Sequence, residues 1–312
     1  MIRLGAIGGG MVFGRYYAAA KQLSELSIVA MADPDPVRRA YWASIGCHAM
    51  ETTEELLESE LDAILVLTPN HAHYSAVTAC INSGRDVLCE KPLTVTVDQA
   101  RRLLTLASDR GVILYAAMHV RHRAEIRYLL QRCAGEVAEF DQEWLENWTK
   151  APAWYRDGRL SGGGVLLDIG INQIDWMQTA AGTLCPETAT ARVTEDGIDE
   201  LCNIRWRFKG GTGRTELSWR ATAERRQTVV RTHRGSVFKL NHSVGTIEDN
   251  GRTHGPWEHD EYVGVLREFI AVLRGIAVTN GADSLQLLEL IRDVYVLLGL
   301  PYLSKQTERS KV

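Results

Sequence analysis

The sequence predicts an α/β chain: an N-terminal open parallel sheet with helices on both faces, then a second domain built on a mostly antiparallel sheet. Three observations carry this expectation. Short apolar segments alternate with helix-competent stretches from Met1 to about Met118, the pattern of parallel strands joined by crossover helices. A glycine-rich turn, Gly8-Gly9-Gly10-Met11-Val12-Phe13-Gly14, joins the first strand to the first helix. Beyond about Ala134 the segments lengthen and alternate apolar with polar residues, most clearly over 204–208 and 215–219, as in an antiparallel sheet covered on one side.

The elements follow in order. Residues 2–7 form a short apolar strand that runs into the glycine turn, and residues 15–23 are helix-competent. Strand, glycine turn and helix is the order that a pyrophosphate site requires. Glycine permits positive φ and close approach of a phosphate, and the helix start presents unpaired N–H groups and a positive dipole end. The spacing, GxGxxxG, has one residue more than the usual fingerprint. A second strand, residues 28–32, ends at Asp33, 19 residues beyond Gly14; a carboxylate that holds the adenosine ribose is expected about 20 residues on.

Strand candidates at 63–67, 87–89 and 112–115 are separated by helical stretches at 53–59, 73–83 and 97–110. A helix over 260–274 carries Tyr262, Leu266, Phe269, Ile270 and Leu273 on one stripe and stops at Gly275, and a last helix spans roughly 284–298. With no internal repeat or low-complexity linker, the expected division is a dinucleotide-binding domain over 1–118 tightly joined to a second domain over 119–312, whose last helix can return to the first.

Composition narrows the function classes. The chain has 312 residues, 45% of them hydrophobic, and a net charge of −4, which suits two domains with ordinary cores. No basic block offsets that charge; residues 220–231 are locally basic but interrupted by Glu224, and read as a solvated sheet face, so no nucleic-acid partner is expected. No apolar run approaches the roughly 18 residues of a membrane span, and the N-terminus enters the nucleotide strand at once, so a cytoplasmic protein without a signal peptide or membrane partner is expected. The six cysteines lack CxxC spacing and the nine histidines lack an HExxH arrangement, so the thiols read as reduced core residues and no metal is expected.

Four further matches are specific. Thr68-Pro69-Asn70-His71-Ala72-His73, Cys89-Glu90-Lys91-Pro92, Arg121 and Gly162-Gly163-Gly164-Val165-Leu166-Leu167-Asp168-Ile169-Gly170 stand in this order along the chain. In them the chain resembles the Gfo/Idh/MocA oxidoreductases, the glucose-fructose oxidoreductase and inositol dehydrogenase family, over essentially its full length. The resemblance implies an N-terminal Rossmann domain, a C-terminal domain with a large open sheet, and homodimers or homotetramers formed through that sheet. It further implies NAD or NADP and a sugar, cyclic polyol or keto-sugar substrate. On this basis the cofactor falls to Gly8, Gly10, Met11, Val12, Asp33, Arg38, Thr68, Pro69, Asn70, His73, Glu90 and Lys91, and the substrate to Lys91, Arg121, Asp168 and Asn172. Asp33 favours NAD, because a carboxylate accepts both ribose hydroxyls and repels a 2′-phosphate; Arg38 and Arg39 keep NADP as the alternative.

Hydride transfer from a secondary alcohol leaves a proton that must depart, so an acid or base is needed at the carbinol oxygen. Lys91, at the carboxyl end of a buried strand, is the leading candidate, and in the family its peptide bond to proline is often cis. Asp168, Asn172 and Asp175 stand at i, i+4 and i+7, on one face of a helix expected over 165–179. Family members usually carry aspartate at the first of these positions and a proton-shuttling histidine at the second. Asn172 replaces that histidine, and a carboxamide hydrogen-bonds a hydroxyl but does not titrate. Three classes therefore stay open: a dehydrogenase that relies on Lys91, a dinucleotide- and sugar-binding sensor without turnover, and a reductase of an uncommon keto or imine substrate. Asp175 reads equally as a salt-bridge partner or a site residue. The aromatic cluster Trp144, Trp148, Trp154 and Tyr155 fits a pocket wall, a sheet core or an interface alike.

Overall fold

The computed structural model describes residues 1–133, 135–148, 152–258 and 260–300; Ala134, where the sequence pattern changes, lies outside them. The chain opens with β1 (Ile2–Ile7), α1 (Met11–Ala20), β2 (Leu26–Ala32), α2 (Pro36–Ser44), β3 (His48–Met50), α3 (Thr53–Leu57), β4 (Ala63–Val66), α4 (His73–Asn82), β5 (Asp86–Glu90), α5 (Val97–Arg110) and β6 (Leu114–Ala117). The six strands form one sheet in the order β3-β2-β1-β4-β5-β6, with every neighbouring pair parallel. Strand order reverses between β1 and β4, and in such sheets the crevice beyond the carboxyl ends at that reversal binds ligands.

Local chemistry sets the helix starts. Asp35 caps α2 with Pro36 at its first position, Thr52 and Glu55 form a capping box on α3, and Thr96 caps α5, which closes on Gly111 at φ 64°. By contrast α1 begins at Met11, directly after the glycines, with no side-chain cap.

The remaining elements are α6 (Ala124–Cys133), β7 (Val137–Asn147), α7 (Gly158–Ser161), a π turn (Leu166–Gly170), α8 (Ile171–Ala181), β8 (Cys185–Val193), β9 (Asp199–Phe208), β10 (Gly211–Ser218), β11 (Arg220–Thr232), β12 (Val237–Asn241), β13 (Thr246–Asp249), β14 (Arg252–His254), α9 (Glu261–Leu273) and α10 (Gly281–Leu297). The eight strands order as β14-β13-β12-β11-β7-β10-β9-β8, antiparallel throughout except for β7 with β10. On the outer face of β7, Glu139, Asp141 and Glu143 pair with Arg231, Arg214 and Arg225. The locally basic stretch is thus neutralised across the sheet.

Contacts divide the chain into two units: residues Met1–Met118 with Tyr262–Leu285, and the rest. The segment that rejoins the first unit is chiefly α9, ahead of the last helix. Its apolar stripe, Tyr262, Leu266, Phe269 and Ile270, is buried in a core with Leu4, Phe13, Tyr16, Met31 and Tyr115. The Asn280 carboxamide then bonds both the N–H and the C=O of Ala116, each at 2.8 Å. Within the second unit, a buried polar chain runs from Trp206 Nε1 to Thr215 Oγ1, on to Gln142 Oε1, and from Gln142 Nε2 to the Gln173 carbonyl. It fastens α8 to the sheet at fixed register.

The helix expected over 165–179 differs in one respect. Residues 166–170 form a π turn before α8 takes over. The i→i+5 bonding widens that turn, a change that leaves the spacing of apolar residues intact and so leaves no periodic signal in the sequence.

Candidate active site

In the first unit the glycine turn is shaped by close approach. Gly8 has φ +102°, and a Cβ there would stand 2.8 Å from the Leu67 carbonyl oxygen, so the turn after β1 is pressed against the loop after β4. A Cβ on Gly9 would meet Met31 Cε at 2.2 Å, whereas one on Gly10 would find nothing nearer than Arg38 Nη1 at 3.9 Å. The space over Gly10, with the uncapped amides of Met11 and Val12 at the start of α1, is a cradle that suits a pyrophosphate. The third glycine is less constrained. Gly14 lies inside α1 with ordinary room before Trp42, while Phe13, at the usual third position, is fully buried with its ring edge-on to Trp42 at 4.4 Å.

Asp33 is 3% exposed. Its Oδ2 accepts the Gly9 amide at 2.7 Å and Arg38 Nη1 at 3.3 Å, and its Oδ1 accepts the Asp35 amide at 2.9 Å. Arg38 also pairs with Asp35, and Arg39 bonds the carbonyls of Asp33 and Pro34 and the Glu51 carboxylate.

After β4, Thr68 and Pro69 lead into a 3₁₀ turn, Asn70–Ala72, with Asn70 buried. His73, 1% exposed, follows with Nδ1 2.7 Å from the Pro92 carbonyl and Nε2 2.8 Å from the Thr68 carbonyl. A ring with one proton donates to one of these, and the tautomer decides which. Burial pushes this imidazole below its ordinary pKa, while the two carbonyls pull the other way. Its placement ties the loop after β4 to the Lys91-Pro92 loop.

Lys91 follows β5, half-buried, with a cis peptide bond to Pro92. Beside it Glu90 is 7% exposed and spends both oxygens within the protein: Oε1 accepts the Tyr16 hydroxyl at 2.8 Å and Oε2 accepts the Lys91 amide at 3.0 Å. Burial pushes the Glu90 carboxyl above the usual glutamate range, opposed first by the Lys91 ammonium and then by the Tyr16 hydroxyl. Burial, and next the Glu90 charge, hold the Tyr16 phenol well above its ordinary value, so it stays a donor.

In the second unit Asp199 organises the triple glycine. It accepts the Gly164 amide and the Tyr295 hydroxyl on Oδ1, at 2.8 and 2.7 Å, and the Leu166 amide on Oδ2 at 2.8 Å. A Cβ on Gly164 would stand 1.9 Å from the Asp199 carbonyl oxygen, so only glycine fits. The π turn that follows carries Asp168, half-buried, with its amide bonded to the Gly164 carbonyl at 3.0 Å.

Asn172 is 5% exposed; its Nδ2 donates to the Asp168 carbonyl at 3.4 Å, and no donor among the described residues reaches its Oδ1. The carbonyl fixes which way the carboxamide faces, since only its N–H₂ end can bond there. A buried acceptor left unpaired costs about 1–3 kcal/mol, a penalty that a ligand's donor would relieve. Arg121 makes a two-pronged pair with Asp175, its Nε 2.8 Å from Oδ2 and its Nη2 on Oδ1. Asp175 is thereby a salt-bridge partner, and the pair anchors α8 to the 3₁₀ turn at His119–His122.

Sequence reasoning did not find Tyr16, Asp199, Tyr295 or the buried trio of Glu125, His242 and Thr228. Each acts through a partner distant in sequence and belongs to no short motif. The aromatic cluster separates: Trp144 lies against His242, while Trp148, Trp154 and Tyr155 stack together near Trp219.

Comparison with known proteins gives two family matches. The first, described as "Oxidoreductase family, NAD-binding Rossmann fold" (GFO_IDH_MocA), spans residues 2–118, and the second, "GFO/IDH/MocA C-terminal domain", spans residues 127–238. The chain is 31% identical over 214 residues to the rhizopine catabolism protein MocA of Rhizobium meliloti, covering 65% of this chain and 67% of that protein. It is 29% identical over 223 residues to 1,5-anhydro-D-fructose reductase of Ensifer adhaerens, covering 68% and 67%. Among solved structures, GenD2 from gentamicin A biosynthesis, in complex with NAD, shares the fold at a TM-score of 0.84 and 21% identity, over 96% of this chain and 94% of that one.

Proposed function

This chain belongs to the Gfo/Idh/MocA oxidoreductases, a family whose N-terminal domain is an NAD-binding Rossmann fold, and from that premise we propose a dehydrogenase or reductase of a sugar, cyclic polyol or keto-sugar. Lys91 exchanges the proton at the carbinol oxygen. The observation that carries the reading is the His73 link, which makes the lysine loop and the loop after β4 one piece at the carboxyl edge of the sheet. The dinucleotide supplies hydride transfer when bound. The cradle over Gly10 and the first turn of α1 hold its pyrophosphate, and Asp33 stands at the end of β2, where the adenosine ribose is held in such folds.

Asp168 and Asn172 hold substrate in this reading. The unpaired Asn172 Oδ1 accepts a hydroxyl or amine proton, as a polyol offers, and does not itself titrate. Arg121 acts at one remove, by holding α8 through Asp175. That the relative from Ensifer adhaerens is named a reductase of an anhydro-keto-sugar supports the substrate class.

The test is purification of the full chain, mass analysis of any bound dinucleotide, and assay of polyols and keto-sugars at the reduced-nicotinamide absorbance band. Turnover of a sugar-like alcohol or ketone is expected. Dinucleotide retained without turnover of any such compound would replace this reading with that of a metabolite sensor.

A further inference from the structure

Lys91 has a buried neighbour that nothing in the reaction itself requires. Glu90 sits at the last position of β5 with both oxygens taken up inside the first unit, one by the Tyr16 hydroxyl from α1 and one by the Lys91 amide. Each oxygen thus holds one donor from within the protein. Two donors on two oxygens is the pattern of an ionised carboxylate, which only accepts.

We infer that Glu90, held by Tyr16, is a positioning residue that keeps the Lys91 ammonium charged and fixes the backbone from which it projects. A carboxylate beside an ammonium in a poorly solvated place favours the charged amine. Other groups modulate this pair without replacing it. Arg15 and Tyr16 on α1 and Cys89 on β5 act on the carboxylate, Tyr115 on β6 and Tyr262 on α9 act on the Tyr16 phenol, and His73 on α4 faces the lysine. Arg15 is drawn toward Tyr262, whose hydroxyl accepts its Nη1 at 3.2 Å. Tyr16 is fully buried and keeps its proton, so it donates to Glu90 and competes with the lysine for the negative charge.

The consequence concerns reaction direction. A lysine that keeps its proton donates it to a carbonyl oxygen and accepts one poorly, so near neutral pH the site favours reduction of a ketone over oxidation of an alcohol. This rests on the assignment of Lys91 above. The experiment therefore reads the amine itself rather than turnover.

Trace acetylation of the full chain with acetic anhydride across a pH series, with peptide mass analysis, gives the midpoint at which Lys91 becomes reactive. Lys239, paired with Glu248 on the second sheet, serves as internal reference. E90Q, which keeps the shape and removes the charge, is expected to lower the Lys91 midpoint by about one pH unit and leave Lys239 in place. Y16F, which keeps the carboxylate and frees the oxygen that the phenol holds, is expected to raise it, and serves if E90Q does not fold. A midpoint unmoved by E90Q, or lowered by both variants as mere loosening of the loop would lower it, overturns the inference. Coupling of the two side chains with full turnover in K91A would instead remove the catalytic assignment and leave the coupling standing.

Discussion

Asp33 accepts the Gly9 amide at 2.7 Å, which makes the carboxylate at the tip of β2 and the glycine turn after β1 a single hydrogen-bonded piece. The same oxygen receives Arg38, which is thus engaged by two carboxylates, Asp33 and Asp35, and in the proposed site is not free for a 2′-phosphate. NAD is accordingly expected to bind more tightly than NADP. D33S should narrow or reverse that preference and should also lower thermal stability, because the Gly9 amide loses its acceptor. Fluorescence titration with both dinucleotides checks the first effect and a thermal melt the second. Tighter NADP binding to the unaltered chain would defeat the assignment.

K91A should reduce turnover of the native substrate by roughly 10²- to 10⁴-fold, the range for a lost general acid or base, with dinucleotide affinity within a few-fold of the parent. Steady-state kinetics and a separate binding titration measure the two. Near-normal turnover would show that the proton travels elsewhere.

N172H should introduce a group that titrates near neutrality. The alcohol-oxidising rate of the parent is expected to rise with pH in one step, and that of the variant to show an added lower inflection. If the variant is folded but loses the native activity, the unpaired Oδ1 is a specific substrate contact that imidazole cannot reproduce.

Asp199 gives a prediction in stability. Burial raises its carboxyl pKa, against the pull of the Leu166 amide, the Tyr295 hydroxyl and the Gly164 amide. A carboxyl raised in the folded state keeps its proton where the unfolded chain has already lost one, so its contribution falls as pH rises from about 3.9 through the raised folded value. Urea midpoints of the parent and D199N, taken from pH 4 to 7, should show a flatter dependence in the variant. D199N should also be less stable throughout, because its amide nitrogen meets the Leu166 N–H with no lone pair to offer.

Much of this was legible in the sequence, for identifiable reasons. The span of α5, between its Thr96 cap and Gly111, and the apolar stripe of α9 were readable because capping and helical periodicity are local signals. The glycine turn and the Lys91 loop were readable because each is a contiguous motif. What escaped was pairing across the chain: Tyr16 with Glu90 and Asp199 with Tyr295 are separated by 74 and 96 residues. The π turn also escaped, since a single wider turn costs one hydrogen-bond register and changes no residue type. Gly14, part of the glycine signal, has ordinary space around it, and the need that a third glycine serves is met by Phe13 packing on Trp42.

The return of residues Tyr262–Leu285 to the first unit has a practical reading for anyone cutting or recombining this chain. A fragment ending at Met118 would be a nucleotide fold with one wall missing: Tyr16 would lose Tyr262, Tyr115 would lose Phe269, and the edge at Ala116 would lose the Asn280 carboxamide that mimics a further strand. Such a fragment should expose apolar surface and aggregate. Topologically, residues 119–261 are a guest inserted into a host that resumes at Tyr262 and gives way again to the second unit at Gln286, so grafting a different substrate unit requires three junctions, near 118, 261 and 285, rather than one. In the same way the host is complete only after the guest has been synthesised, and the order in which the chain emerges is not the order in which its first core can close.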